Sequence, residues 1–220
     1  GLGEVCLRPD RDIRREHLRE ARALIVRSKT RVGPELLADT PVEFVATATA
    51  GSDHLDLPWL EEAGIAWSAA AGCNANAVAE YAITALTWLA LRHGALLAGK
   101  TLGLVGLGQV GSRVAEKAPL LGLRVLRNDP PLALQTGAPE YLPLEAVLAA
   151  ADILSLHVPL TAAGPFPTRH LADCRLFGRL KPGAWFLNTA RGEVADSESL
   201  LYALERHSLG AAGLDVWEGE

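Results

Sequence analysis

The stretch TLGLVGLGQVGSRVAEKAPLLGLRVLRNDPP, residues 101–131, constrains the fold more than any other part of the chain. An apolar run over 101–105 reaches Gly106, Gly108 and Gly111 in G-x-G-x-x-G spacing, and a helical pattern over 110–121 opens behind them. The first glycine permits a tight turn. The second lets a pyrophosphate approach the backbone, and the third lets the helix pack close to the strand. The N–H groups of Gln109 and Val110 then stand at the positive end of that helix, where an anion binds. A second apolar run, 124–128, ends at Asp129, roughly 20 residues past the middle glycine, the spacing of a ribose-binding carboxylate. An acid there accepts hydrogen bonds from the ribose hydroxyls and repels a 2′-phosphate, which favours NAD over NADP. Glycines also mark ordinary strand-to-helix turns. The following strand and its acid tip the balance towards a dinucleotide site.

The same alternation runs through the rest of the chain. Strand-like runs are expected at 23–27, 44–46, 153–156, 185–188 and 211–216, with a helical pattern at 197–205. Strand–helix alternation implies parallel sheets with crossover helices. Short runs such as GLVG and WFLN suit strands covered on both faces. A long helix over 74–92 carries Val78, Ala82, Leu86 and Leu89 at helical spacing and stops at His93-Gly94. The domain boundary is expected on this helix.

Composition excludes several classes. The net charge is −5 and no Lys/Arg stripe is present, so nucleic acid is not an expected partner. No apolar run has the length of a membrane span, and no signal-peptide pattern opens the chain. Cys6, Cys73 and Cys174 match no zinc or redox spacing and read as reduced thiols of a cytoplasmic protein. The six histidines are scattered, and no metal site is expected.

Ligands of open α/β sheets bind beyond the carboxyl ends of the strands. The run at 153–156 leads into His157-Val158-Pro159, the run at 185–188 into Thr189-Ala190-Arg191-Gly192, and the last run into Asp215. An arginine there suits a two-pronged grip on a carboxylate, or pairs with a neighbouring acid and staples the fold. Asp215 either caps a loop or holds a nicotinamide amide.

With these residues in place, the chain resembles the D-2-hydroxyacid dehydrogenases over nearly its whole length. Six stretches carry the likeness: LIVRSKT (24–30), FVATATAGSDHLD (44–56), SAAAGCNANAVAEY (68–81), GLVGLGQVG (103–111), NTARGEV (188–194) and LDVWEGE (214–220). The narrower pieces, among them G-C-N-A, N-D-P-P and D-V-W-E-G-E, resemble the branch that oxidises 4-phospho-D-erythronate in pyridoxal phosphate synthesis. The likeness implies a Rossmann-type doubly wound parallel sheet plus a smaller flavodoxin-like α/β domain. Residues 1–81 would bind substrate, 82–99 would link, and 100–220 would bind NAD.

The likeness also implies roles. Arg191 orients the substrate carboxylate and C2 oxygen, and Glu220 pairs with the catalytic histidine. Ser28 and Thr49 touch substrate. Gly106, Gly108, Gln109, Val110 and Gly111 hold the pyrophosphate, Asp129 the ribose, and Asp215 the carboxamide. Val158, Thr189, Ala190 and Arg191 line the cofactor wall. Arg27 and Lys29 flank Ser28 and suit the substrate phosphate. None of the histidines present matches the family's proline-histidine turn. The chain therefore reads as lacking a first strand and a C-terminal crossover, with both domains incomplete and the piece itself inactive. Ala71 and Val158 depart from the pattern, which has proline and often threonine there. The likeness implies a homodimer acting on a small phosphorylated hydroxy acid. Another D-2-hydroxyacid dehydrogenase, acting on glycerate or phosphoglycerate, and a non-catalytic NAD-binding regulator are the alternatives.

Overall fold

Two parallel sheets organise the chain in the computed structural model, which describes residues 3–219. They belong to two compact units that divide between Cys73 and Asn74.

The first unit holds a three-stranded sheet in the order β1 (Ala23–Val26), β2 (Phe44–Thr47), β3 (Ala66–Ala69). Short helices α1 (Pro34–Leu37) and α2 (Leu57–Glu62) connect the strands. Both open on a proline in the first turn, where the missing N–H costs nothing. Leu24, Val26 and Val45 face a core with Leu37, Leu55 and Leu60, whereas Ile25 is 70% exposed, so burial alternates along β1 as it does in a half-covered strand. β3, with sequence AWSA, is absent from the strands expected from sequence: it buries none of its residues and shows no apolar alternation.

The second unit holds a five-stranded parallel sheet in the order β5-β4-β6-β7-β8. Its elements are α3 (Ala75–Arg92), β4 (Thr101–Val105), α4 (Gln109–Lys117), β5 (Arg124–Asn128), α5 (Pro130–Thr136), α6 (Leu144–Ala150), β6 (Ile153–Leu156), α7 (Cys174–Phe177), β7 (Ala184–Asn188), α8 (Ser197–Glu205) and β8 (Leu209–Leu214). Every residue of β4, β6 and β7 is buried. Leu102, Leu104, Ile153 and Leu187 join one core with α3 and α4. Val105, Leu154, Leu156 and Phe186 join the other with α6, α7 and α8. The unit is thus an α/β sheet covered on both faces, the class expected from its sequence.

Several boundaries differ from the sequence expectation, three of them with a clear physical or topological meaning. The helical pattern at 110–121 tightens into a 3-10 turn at Ala118–Leu121, where Pro119 cannot continue the α-helix. β8 begins two residues early, at Leu209. The second unit begins at Asn74 and takes in residues 82–99, which were expected to be a link before an NAD-binding domain at 100–220; α3 packs along its length into that unit through Ala79, Ala82, Leu86 and Leu89.

The strand order reverses between β5-β4 and β6-β7-β8, so the chain leaves β4 and β6 in opposite directions across the sheet. That switch point opens a crevice at the carboxyl ends of β4 and β6.

Candidate active site

Beyond β4, Gly106 has φ +90°, a region side chains avoid, and a Cβ there would sit 2.5 Å from the His157 carbonyl oxygen. A Cβ on Gly111 would collide with the Gly106 carbonyl oxygen. Gly108 differs: nothing lies within 4 Å of its Cβ position, and it forms the N-cap of α4 with no side chain across the helix end. The outer two glycines are therefore demanded by backbone packing. The middle one faces open space beside the first-turn N–H groups of Gln109 and Val110, where a pyrophosphate fits.

Asp129, at the end of β5, is tied down more firmly than sequence suggests. One carboxylate oxygen accepts the Leu132 N–H at 3.0 Å and caps α5; the other accepts the Leu107 N–H at 2.8 Å and anchors the glycine turn. Each oxygen keeps a second lone pair for a ribose hydroxyl. The N-D-P-P piece is thus a helix start as well as the expected ribose position, with Pro130 in the first turn of α5.

Beyond β6, Val158 reaches the glycine turn, its Cγ1 2.9 Å from a Cβ built on Gly106. His157 Nε2 lies 2.9 Å from the hydroxyl of buried Ser155, while its Nδ1 is buried without a partner. Burial holds this imidazole neutral and pushes its pKa down to about 4. The unfolded chain takes up the proton near pH 6.5 and the folded chain does not, so stability is full above that value and falls as pH drops towards 4. We expect a loss of about 2 kcal/mol between pH 7 and 4.5. Urea unfolding at the two pH values should show a smaller loss in His157→Gln. An equal loss in both proteins rules His157 out as the source.

Beyond β7, buried Asn188 shapes the turn that carries Arg191. Its Nδ2 donates to the Arg191 carbonyl at 2.8 Å and its Oδ1 accepts the Ala190 N–H at 3.1 Å. Arg191 Nη1 donates to the Ala190 carbonyl at 2.8 Å. Thr189 Oγ1 is buried with no partner, a polar atom waiting for a ligand group. Gly192 admits no side chain, because a Cβ there would collide with the Trp217 carbonyl. β8 then delivers Asp215, whose N–H donates to the Asn188 carbonyl at 3.0 Å. The Asp215 carboxylate raises the pKa of the Tyr81 hydroxyl by its charge, with burial and a hydrogen bond between the two adding to it. Asn188 and Tyr81 were not singled out from sequence, since their partners lie across a turn or on another element.

The structure thus gathers Gly106, Val158 and Asp129 at one set of strand ends, and Thr189, Ala190, Arg191 and Asp215 at the neighbouring set. Glu220 lies outside the described residues. In the first unit, Ser28 follows β1 and Thr49 follows β2, adjacent parallel strands whose register pairs Val26 with Thr47, so both stand beyond the carboxyl ends of neighbouring strands. Thr49 donates its hydroxyl proton to the Gly51 carbonyl at 2.9 Å, so towards Thr47, 2.7 Å away, it is the acceptor. The Thr47 proton is then committed, and His54 Nε2, 2.9 Å away, must donate to Thr47. That fixes the His54 tautomer.

An NAD cofactor fits these residues, which offer open space over Gly108, lone pairs on Asp129 and an orphaned hydroxyl on Thr189. Residues 74–220 match the family model of the D-isomer specific 2-hydroxyacid dehydrogenase NAD-binding domain, the same residue at which the second unit begins. The chain is 47% identical to an erythronate-4-phosphate dehydrogenase of Salinibacter ruber and 49% identical to that of Salmonella paratyphi B, covering 100% of this chain in both cases. It spans 57% and 58% of the length of those relatives. Among solved structures it is similar to a D-lactate dehydrogenase of Aquifex aeolicus in complex with NAD and lactic acid, at TM-score 0.81 and 27% identity, covering 95% of this chain and 68% of that one. It is also similar to the TT0316 protein of Thermus thermophilus, at TM-score 0.82 and 31% identity, covering 98% and 74%.

Proposed function

The chain belongs to the D-isomer specific 2-hydroxyacid dehydrogenases, and from that premise we propose that it is part of an NAD-dependent enzyme that oxidises the C2 hydroxyl of 4-phospho-D-erythronate. The observation that carries this is the Arg191 turn, held by Asn188 on one side and packed through Gly192 against Trp217 on the other. It sets a permanently charged planar fork beside the segment that leads to Glu220. The relatives named above carry the same activity in their names, which supports the choice of substrate.

Bound at the strand ends, the nicotinamide supplies the hydride acceptor. The chain's own residues do the rest. Arg191 grips the carboxylate and stabilises charge on the C2 oxygen. Glu220 orients the histidine with which the family resemblance pairs it and raises its basicity, and that histidine takes the hydroxyl proton. In the first unit the family resemblance gives substrate contacts to Ser28 and Thr49, and exposed Arg27 and Lys29 suit a phosphate. Thr49 can donate to an anion only by leaving the Gly51 carbonyl, so the chain of hydroxyls running back to His54 would adjust when substrate binds. The first unit is thus the substrate-binding domain. No helix of the described residues is long and apolar enough to cross a membrane. A cytoplasmic homodimer in pyridoxal phosphate synthesis completes the proposal.

The test is a panel on the full-length protein: 4-phosphoerythronate, glycerate and phosphoglycerate, each with NAD and NADP. Turnover of 4-phosphoerythronate with NAD well above the other combinations is expected. Comparable rates on the other acids would reassign the substrate, and NAD binding with no turnover of any acid would favour a regulator. In the same assay Asp129→Ala should weaken NAD binding and narrow the NAD/NADP gap. It should also cost about 1 kcal/mol of stability through the lost helix cap. Equal affinity of the parent for both cofactors would remove Asp129 from the ribose site.

A further inference from the structure

His170 and Glu218 form a pair that neither the glycine turn nor the Arg191 turn uses. His170 Nε2 lies 2.5 Å from Glu218 Oε1, across 48 residues of sequence. The other Glu218 oxygen accepts the Ser197 N–H at 3.2 Å, at the start of α8. Both contacts hold the Glu218 carboxyl below its ordinary range, the His170 bond foremost. His170 itself adopts φ +51°, unusual for a residue with a side chain, and its N–H donates to the Glu193 carbonyl at 2.8 Å. Asp196 lies close enough for its carboxylate to share a metal ion with the pair, but one of its oxygens accepts the Ser199 N–H at 3.3 Å and caps α8.

Glu218 sits where its backbone matters. Its amide and the Trp217 carbonyl press against Gly192, so closely that no side chain fits there. Arg191 precedes Gly192, and Glu220 follows Glu218 by two residues. Trp217 is 61% exposed and Gly219 has φ +79°.

Resting on the dehydrogenase function above, we propose that His170 and Glu218 are positioning residues. Their pairing locks the 217–219 turn against Gly192 and so holds the neighbouring Arg191 turn in place. The pair touches neither substrate nor cofactor. Its effect is on placement, to which rates are steeply sensitive.

The test uses the full-length enzyme and two readouts. In the kinetic one, His170→Ala and Glu218→Ala should each lower kcat about tenfold to a hundredfold, with NAD affinity and KM for the hydroxy acid within about twofold of the parent. The double variant should fall no further than either single one, as expected for two halves of one contact. His170→Gln places an amide N–H near the Nε2 position and should recover kcat to within about threefold of the parent. In the structural readout, hydrogen exchange at the amides of 216–219 should quicken in His170→Ala and return towards the parent in His170→Gln. A His170→Ala enzyme with parental kcat would overturn the proposal, as would a Gln variant no better than Ala. Unchanged exchange would overturn it too, even in a protein that turned over no hydroxy acid; absence of turnover in the parent would instead remove the dehydrogenase function.

Discussion

Replacing Arg191 with lysine in the full-length enzyme should lower kcat/KM for the hydroxy acid by about 10²–10³, the usual cost of losing a donor aimed at developing charge. NAD affinity should barely move. Lysine keeps the charge and the backbone, so the Asn188 bonds to the Arg191 carbonyl and the Ala190 N–H survive. What it loses is the planar fork that, on the proposed function, meets a carboxylate and a C2 oxygen at once. The loss should fall on kcat, because the oxygen carries more charge in the transition state than in the ground state. If turnover stayed within about threefold of the parent, a difference below roughly 0.7 kcal/mol, Arg191 would be a structural staple. Asn188→Ala supplies the complementary measurement. It leaves the guanidinium intact but frees the turn, so it should mimic part of the Arg191→Lys defect without changing the charge of the site.

Parts of this site are legible in the sequence because backbone geometry permits few alternatives. A strand that runs into G-x-G-x-x-G can do little but turn and enter a helix, and Gly106 and Gly111 take the places their spacing assigns. β4, β6 and β7 announce themselves as apolar runs because they are buried on both faces. β3 does not, since AWSA buries none of its residues and is held mainly by backbone pairing to β2. The unit boundary at Asn74 was also hidden. The apolar pattern of α3 runs unbroken across residue 82, where the sequence reading divides the chain, and Asn74 makes no capping bond with its side chain to mark the start. The second task of Asp129 depends on Leu107, and the partners of Asn188, Tyr81 and His170 lie beyond local reach of the sequence. Ser28 and Thr49 were reachable only through resemblance, because a hydroxyl after a strand says little by itself. Their adjacency follows from the β1–β2 register, which only the folded sheet supplies.

The two glycines of the turn should separate folding from binding. A methyl group on Gly111 meets the Gly106 carbonyl oxygen, a backbone atom that no rotamer change can move, and the His157 Cβ at 3.4 Å closes the other side. Either α4 must slide, dragging Val114 and Ala115 in the core it shares with α3, or the end of β4 must give way. Gly111→Ala should therefore destabilise the NAD-binding unit by about 3 kcal/mol, the upper range for overpacking, and abolish measurable NAD binding. Gly108→Ala is the control. Its φ of −69° suits any residue and its Cβ meets nothing within 4 Å, so stability should stay within about 0.5 kcal/mol of the parent. The added methyl nonetheless occupies the open face where the pyrophosphate approaches, so the NAD dissociation constant should rise at least about tenfold, or 1.4 kcal/mol. Urea unfolding followed by circular dichroism reads the first quantity and calorimetric NAD titration the second, both on the full-length enzyme. Parental NAD affinity in Gly108→Ala would mean that the pyrophosphate lies elsewhere. Parental stability in Gly111→Ala would mean that α4 is free to shift, and that the third glycine is not demanded by packing.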